Sequence, residues 1–333
     1  MKKIGFIGVG IMGKSMVRNL MKAGFEVAIY TRTKAKVEDV IAEGAIWRDT
    51  VKECVADRDA VISIVGYPKD VEEVYFGENG ILKNLPKGGY AIDMTTSSPK
   101  LAVKIYETAR AAGLHALDAP VTGGDGGAKA GTLTILAGGD RADFDACMPL
   151  FEAMGKNINY EGKAGNGQHT KMCNQIAIAG ALSGACEALA YANAVGLDPQ
   201  TMLDSISTGA AGSAQMSNVA TRILKGDLQP GFFVKHFIKD MKLADEEALA
   251  EHTKLGMLEY VLGMYEKLQE EGLGDLGTQA LIKYYEIIRN PSGCCRPSGQ
   301  ILAGLRRGFI SARSRPALSG TGMWRGRRPL TVT

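Results

Sequence analysis

Three polar residues in GQHTKMCNQIAIAGALSGACEAL (167–189) have the spacing of a reaction site. Lys171, Asn174 and Gln175 stand at i, i+3 and i+4, so a helix would place them on one face. Lys171 is the one formal charge before Glu187, and Ala177, Gly180, Ala181 and Gly184 leave room for close packing around that face. An ammonium held in such surroundings is partly desolvated, which moves its pKa from about 10.4 towards neutrality. An amine of that kind can exchange a proton with a carbonyl or alcohol oxygen. The competing reading is a helix-start lysine that simply reaches water.

Two further segments supply complementary chemistry. In ALDAPVTGGDGGAKAGTLTI (116–135), Thr122-Gly123-Gly124 follows a strand-like run. Backbone N–H groups freed by two glycines, with one hydroxyl, form a cradle for a small carboxylate; a flexible loop is the alternative. In GFIGVGIMGKSMVRNL (5–20), Gly8, Gly10 and Gly13 form Gly-x-Gly-x-x-Gly, and Ile11 and Met12 open the helix. Lying between a strand and a helix, the motif has the context of a dinucleotide site, with the pyrophosphate at the helix N-terminus. The second strand then runs into Tyr30-Thr31-Arg32-Thr33, without the acidic residue that usually holds an NAD ribose. Arg32 suits a 2′-phosphate, with Thr31 and Thr33 as hydroxyl donors, so NADP(H) is expected in preference to NAD(H). A metal is not expected, because the four histidines and six cysteines show no ligand spacing. His169 is read as a neighbour of the site and the other histidines as structural or exposed.

The elements that must position these residues follow from hydrophobic patterning. KIGFIG (3–8), EVAIYT (26–31), AVISIV (60–65), YAIDM (90–94), LHALDAP (114–120) and TLTILAG (132–138) read as strands. Helices are expected between them, including 11–24, 99–113 and 143–155, with Ser98 capping and Pro99 at the first helical position. Strand–helix alternation predicts an α/β domain with a mostly parallel, doubly wound sheet. Beyond Gly165 only helical periodicity remains, over 168–195, 199–208, 213–225, 236–252, 256–271 and 277–288. The expected organisation is a nucleotide-binding Rossmann domain at 1–164, an all-helical substrate and oligomerisation domain at 165–289 and a tail at 290–333.

Bulk composition narrows the classes. The 333 residues are 45% hydrophobic and 23% charged, an ordinary globular balance. The longest helical run without charge, 172–186, is fifteen residues against the roughly twenty of a membrane span, so no membrane segment is expected. Cysteines without CxxC spacing fit reduced thiols in a cytoplasm. Residues 1–288 hold 30 basic and 36 acidic residues, whereas 289–333 hold nine Arg and no Lys, Asp or Glu. The tail is read as disordered or as appended, non-native sequence. A nucleic-acid surface is the less favoured reading.

Taken in order, GFIGVGIMGKSMVRNL, IDMTTSSP, LDAPVTGG, GNGQHTKMCNQ and FIKDM resemble the β-hydroxyacid dehydrogenase family, over about residues 2–288. The resemblance implies a Rossmann domain joined by a long interdomain helix to an all-α domain, usually in a homodimer or homotetramer. It implies Lys171 as general acid/base and Thr122, Gly123 and Gly124 as the substrate-carboxylate loop. Asn174 and Gln175 match substrate-orienting positions, at both of which some members have Asn. Thr96 and Lys239 match positions near the nicotinamide end of the cofactor, and Val65 and Gly66 match the loop flanking the cofactor. The implied reaction interconverts a small 3-hydroxy acid and its carboxylate-bearing semialdehyde with NAD(P)(H), without a metal. Imine or ketone reductases of similar architecture are an alternative, although imine reductases commonly lack the lysine. A non-catalytic NADP(H)-binding module is another.

Overall fold

Short apolar runs buried along nearly their whole length build the centre of the molecule. In a computed structural model that describes residues 1–289, the strands are β1 (Lys3–Ile7), β2 (Glu26–Tyr30), β3 (Ile46–Trp47), β4 (Ala60–Ser63), β5 (Tyr90–Asp93), β6 (His115–Asp118), β7 (Val121–Thr122), β8 (Leu133–Gly139) and β9 (Gly155–Gly162). They form one nine-stranded sheet in the order β3-β2-β1-β4-β5-β6-β8-β7, with β9 also paired to β8. Pairing is parallel from β3 through β6, antiparallel where β8 meets β6 and β7, and parallel between β8 and β9. The 3-2-1-4-5-6 order is that of a Rossmann domain.

Successive strand residues point to opposite faces. Val27, Ile29 and Ile62 join one core with Met16, Val17, Leu20, Phe144 and Leu150. Ala28 and Val61 join a second core with Cys54, Val71, Tyr75, Ile105 and Ala109. Helices Ile11–Lys22 and Arg141–Met154 therefore cover one face, and Pro68–Phe76 and Pro99–Ala111 the other. Ser98 Oγ accepts from Leu101 N–H at 3.4 Å, with Pro99 at the first helical position as the sequence predicts.

Past β9 the described chain is helical. The helix Asn166–Val195 extends for 30 residues from Gly165. Leu182 and Cys186 pack against Phe237 and Met241 of helix Val234–Ala250 and against Val261, Tyr265 and Leu268 of helix Gly256–Glu270. The Phe237 and Tyr265 rings meet edge to face at 5.1 Å. By length and composition alone the 30-residue helix could cross a membrane. Here Leu182, Cys186 and Leu189 are buried against protein, and the helix carries buried Gln168, Lys171 and Gln175. The expected helix over 213–225 is split into a π-helical turn, Gln215–Val219, and a short helix, Ala220–Leu224. The expected tail at 290–333 lies outside the described residues.

Candidate active site

The glycine turn is shaped by close approach. Gly8 has φ +95°, and a Cβ there would lie 2.1 Å from the Ile64 carbonyl oxygen and 3.1 Å from Val65 Cγ1. A Cβ on Gly13 would lie 2.2 Å from the Gly8 carbonyl oxygen, so helix Ile11–Lys22 can start this near the strand only without a side chain. Gly10 and Ile11 are exposed and Met12 half-buried. A Cβ on Gly10 would meet nothing within 4 Å, no side chain caps the helix, and its first turn has no acid. Open space in front of uncapped N–H groups fits the pyrophosphate of a nicotinamide dinucleotide. At the end of β2, Thr31 is half-buried and Arg32 and Thr33 are exposed. The Arg32 side chain is 83% exposed and reaches Asp70 Oδ1 at 3.6 Å, leaving it available to an anion.

Hydrogen bonds lead from this turn to the lysine helix. Val65 N–H donates to Thr95 Oγ1 at 3.0 Å, and Gln168 Nε2 donates to the Thr95 carbonyl at 2.7 Å. Ser97 N–H donates to Gln168 Oε1 at 2.9 Å. Asp118, at the end of β6, accepts from Gly165 N–H at 2.8 Å and Gln168 N–H at 2.9 Å. These bonds pin the first turn of Asn166–Val195 to the carboxyl edge of the sheet, where ligands of doubly wound folds bind. The contact is tight, since a Cβ on Gly167 would come 2.4 Å from the Leu136 carbonyl oxygen.

One turn further, Lys171 is 6% exposed. Burial lowers its amine from 10.5 to about 8; Asp240 opposes the drop and Lys239 adds to it. Around it runs a connected polar group. Asn174 Nδ2 donates to Gln175 Oε1 at 2.7 Å, and Gln175 Nε2 donates to Asp240 Oδ2 at 2.6 Å. Lys239 Nζ lies 2.9 Å from Asp240 Oδ1, close enough for an ion pair though off the angle of a hydrogen bond. Lys239 Nζ also donates to the Thr96 carbonyl, tying the helical half to the segment after β5. Lys171, Asn174, Gln175, Lys239 and Thr96 are thus gathered at one place, and Val65 and Gly66 border it.

The Thr122-Gly123-Gly124 loop stands at the turn after β7, with Thr122 half-buried, Gly123 exposed and φ +124° and +61° at the two glycines. A Cβ on Gly124 would lie 3.9 Å from the Gly231 carbonyl oxygen, so this loop also borders the helical half.

Several contributors have no local sequence signal. Asp93, the register partner of Asp118, accepts at Oδ1 from Ser63 Oγ at 2.9 Å and Thr95 N–H at 3.1 Å. Burial raises both carboxyls to about 6, against the hydrogen bonds each accepts. His169, expected beside the site, is exposed. His236 instead meets the loop after β4: its ring lies 5.4 Å from Tyr67, and its Cε1 would be 3.8 Å from a Cβ on Gly66. Burial and then Lys239 and Lys235 hold the His236 imidazole below its usual range.

Comparison with known proteins agrees with this layout. Residues 3–162 match the family model of the NAD binding domain of 6-phosphogluconate dehydrogenase. Residues 165–285 match that described as NAD-binding of NADP-dependent 3-hydroxyisobutyrate dehydrogenase. The uncharacterized oxidoreductase YkwC of Bacillus subtilis is 55% identical over 85% of this chain and 99% of its own length. The probable 3-hydroxyisobutyrate dehydrogenase-like 1, mitochondrial, of Arabidopsis thaliana is 44% identical over 87% of each chain. The Mycobacterium tuberculosis 3-hydroxyisobutyrate dehydrogenase, solved with L-serine, is 29% identical with a TM-score of 0.78, covering 85% of this chain and 98% of its own. An imine reductase of Myxococcus stipitatus, 19% identical with a TM-score of 0.57 over 85% of this chain and 99% of its own, shares the fold alone. With a Rossmann sheet, a long helix carrying a buried lysine at the sheet's carboxyl edge, and matches along both halves, the chain belongs to the β-hydroxyacid dehydrogenase family of NAD(P)-dependent oxidoreductases.

Proposed function

We infer that the protein is an NADP(H)-preferring dehydrogenase that interconverts a small 3-hydroxy acid and its semialdehyde, with Lys171 as general acid and base. The observation that carries this reading is the buried Lys171 amine, lowered to about 8, on a helix start pinned to the nucleotide edge of the sheet. An amine near that value holds a proton at neutral pH and releases it with little driving force, as a reversible proton donor must.

The cofactor, when bound, supplies the hydride in reduction and takes it in oxidation. Gly8, Gly10, Ile11, Met12 and Gly13 would hold its pyrophosphate, and Thr31, Arg32 and Thr33 a 2′-phosphate. Val65, Gly66, Thr96 and Lys239 would border its nicotinamide end. In reduction, protonated Lys171 donates to the oxygen on which negative charge grows; in oxidation, its neutral amine accepts the hydroxyl proton. Thr122, Gly123 and Gly124 bind the substrate carboxylate and so fix the reacting carbon relative to the amine. Asn174 or Gln175 orients the substrate from the same helix face. The reading divides the chain at 1–164, 165–289 and 290–333, and places it in the cytoplasm as a homodimer or homotetramer. Free, buried Cys54, Cys147 and Cys186 suit a reducing compartment.

A screen of purified protein against 3-hydroxy acids and small semialdehydes, each with NADPH or NADP+ and with NADH or NAD+, tests the reading. Turnover of carboxylate-bearing substrates with the phosphorylated cofactor favoured is expected. Turnover of cyclic imines alone, or none at all, would overturn it.

A further inference from the structure

The amides of Asn174 and Gln175 are polarised in one direction by Asp240. An ionised carboxylate only accepts hydrogen bonds. Asp240 is 1% exposed, and its Oδ2 lies 2.6 Å from Gln175 Nε2, so the Gln175 amide must turn its NH2 to Asp240. Its Oε1 is then left for Asn174, whose Nδ2 donates to it at 2.7 Å. Asn174 is thereby fixed in turn: its NH2 is directed to Gln175, and its Oδ1 has no protein partner among the described residues. Gln175 is itself only 2% exposed and engaged at both ends, whereas Asn174 is half-buried. Of the two amides, Asn174 alone therefore presents unengaged polar atoms on the Lys171 face. A glutamine is one methylene longer than an asparagine, and that length gives it the reach to Asp240.

The consequence is a pair of unlike groups on one face. The Lys171 ammonium is a donor for the reacting oxygen; Asn174 Oδ1, three residues along, is an acceptor left without a protein partner among the described residues. We propose that Gln175 is a positioning residue that locks the Asn174 amide with its oxygen free, so that the site selects a 3-hydroxy acid bearing a hydrogen-bond donor on C2, a hydroxyl or an ammonium, over one bearing a methyl group. The proposal rests on the dehydrogenase reading above and adds the substituent at C2. A site built to hydrogen-bond a substrate group discriminates strongly against an analogue without it, because its own polar atom is then left unpaired.

Glycerate and 3-hydroxyisobutyrate differ at C2 by hydroxyl against methyl at nearly equal size, so kcat/KM for this pair reads the selection directly. The wild type is expected to favour glycerate at least tenfold. Gln175→Met keeps the side-chain length and removes the relay; it should reduce that ratio at least fivefold, mainly through KM for glycerate. Gln175→Glu can still accept from Asn174 but can donate to Asp240 only when protonated. Its glycerate preference should therefore survive at low pH and fade as the introduced carboxyl ionises, a pH dependence that loss of packing would not produce. A wild type that favours the methyl substrate, or a ratio unchanged in Gln175→Met, would overturn the proposal while leaving the dehydrogenase reading intact. A wild type that oxidises no 3-hydroxy acid would overturn both.

Discussion

Lys171→Met should make the protein more stable and inactive at the same time. Methionine nearly matches the lysine stem in length and is apolar, so it fills the buried site without a charge. The cost it relieves follows from the amine's fall from 10.5 to about 8, caused first by burial. At about 1.4 kcal/mol per pH unit, that difference amounts to about 3 kcal/mol. The sign is set by proton counts. Below about pH 8 the amine is charged in both the folded and unfolded chains, and the full penalty applies. Between about 8 and 10.5 the unfolded chain binds more protons, so wild-type stability rises with pH and the penalty fades. Urea unfolding of wild type and Lys171→Met at pH 7 should thus differ by about 3 kcal/mol in favour of the variant, and at pH 10 by less than about 1 kcal/mol. A variant less stable than wild type at pH 7, or a gap that does not change with pH, would refute the buried-amine reasoning. Turnover near the wild-type level in this variant would refute its link to catalysis.

Two further outcomes follow from the same geometry. Arg32→Asp should raise KM for NADPH at least tenfold more than KM for NADH, since the 83% exposed guanidinium has only a 3.6 Å contact to Asp70 to give up; equal effects would refute the 2′-phosphate assignment. Asp93→Asn should stabilise the fold by about 3 kcal/mol at pH 7, because burial raises this carboxyl from 3.8 to about 6 and its ionised form is penalised above both values. That gain should shrink to well under 1 kcal/mol by about pH 4, where the folded wild type is itself protonated, as paired thermal melts can show.

Local chemistry made much of the fold legible. Strands buried on both faces, such as Ala60–Ser63, read as continuous apolar runs, and Gly8 and Gly13 mark a turn in which a Cβ would run into neighbouring backbone. Lys171 stood out because it is the one formal charge in the first twenty-one residues of its helix, before Glu187. The strand Gly155–Gly162 was not legible. Its pairing is with β8 and much of its surface is half-buried or exposed, so KNINYE offers only Ile158 and Tyr160 as alternating apolar positions, too few to read as a strand. Val121–Thr122 and Ile46–Trp47 are too short to show a period. The fastening of the lysine helix by Asp118 and Gln168 spans 47 to 73 residues of sequence, and its partners include backbone groups that any residue could supply. The orientation of Gln175 was hidden for a related reason: Asp240, which sets it, comes from another helix, 65 residues away.

The pH dependence of kcat for oxidation of a 3-hydroxy acid bears most directly on Lys171. A neutral amine is needed to take the hydroxyl proton, so kcat should rise with pH and level off above about 8, while kcat for reduction falls through the same range. In Lys171→Ala both limbs should disappear, together with at least about a hundredfold of the turnover. Profiles that are flat from pH 7 to 9 in the wild type, or limbs that persist in Lys171→Ala, would contradict proton transfer by this residue.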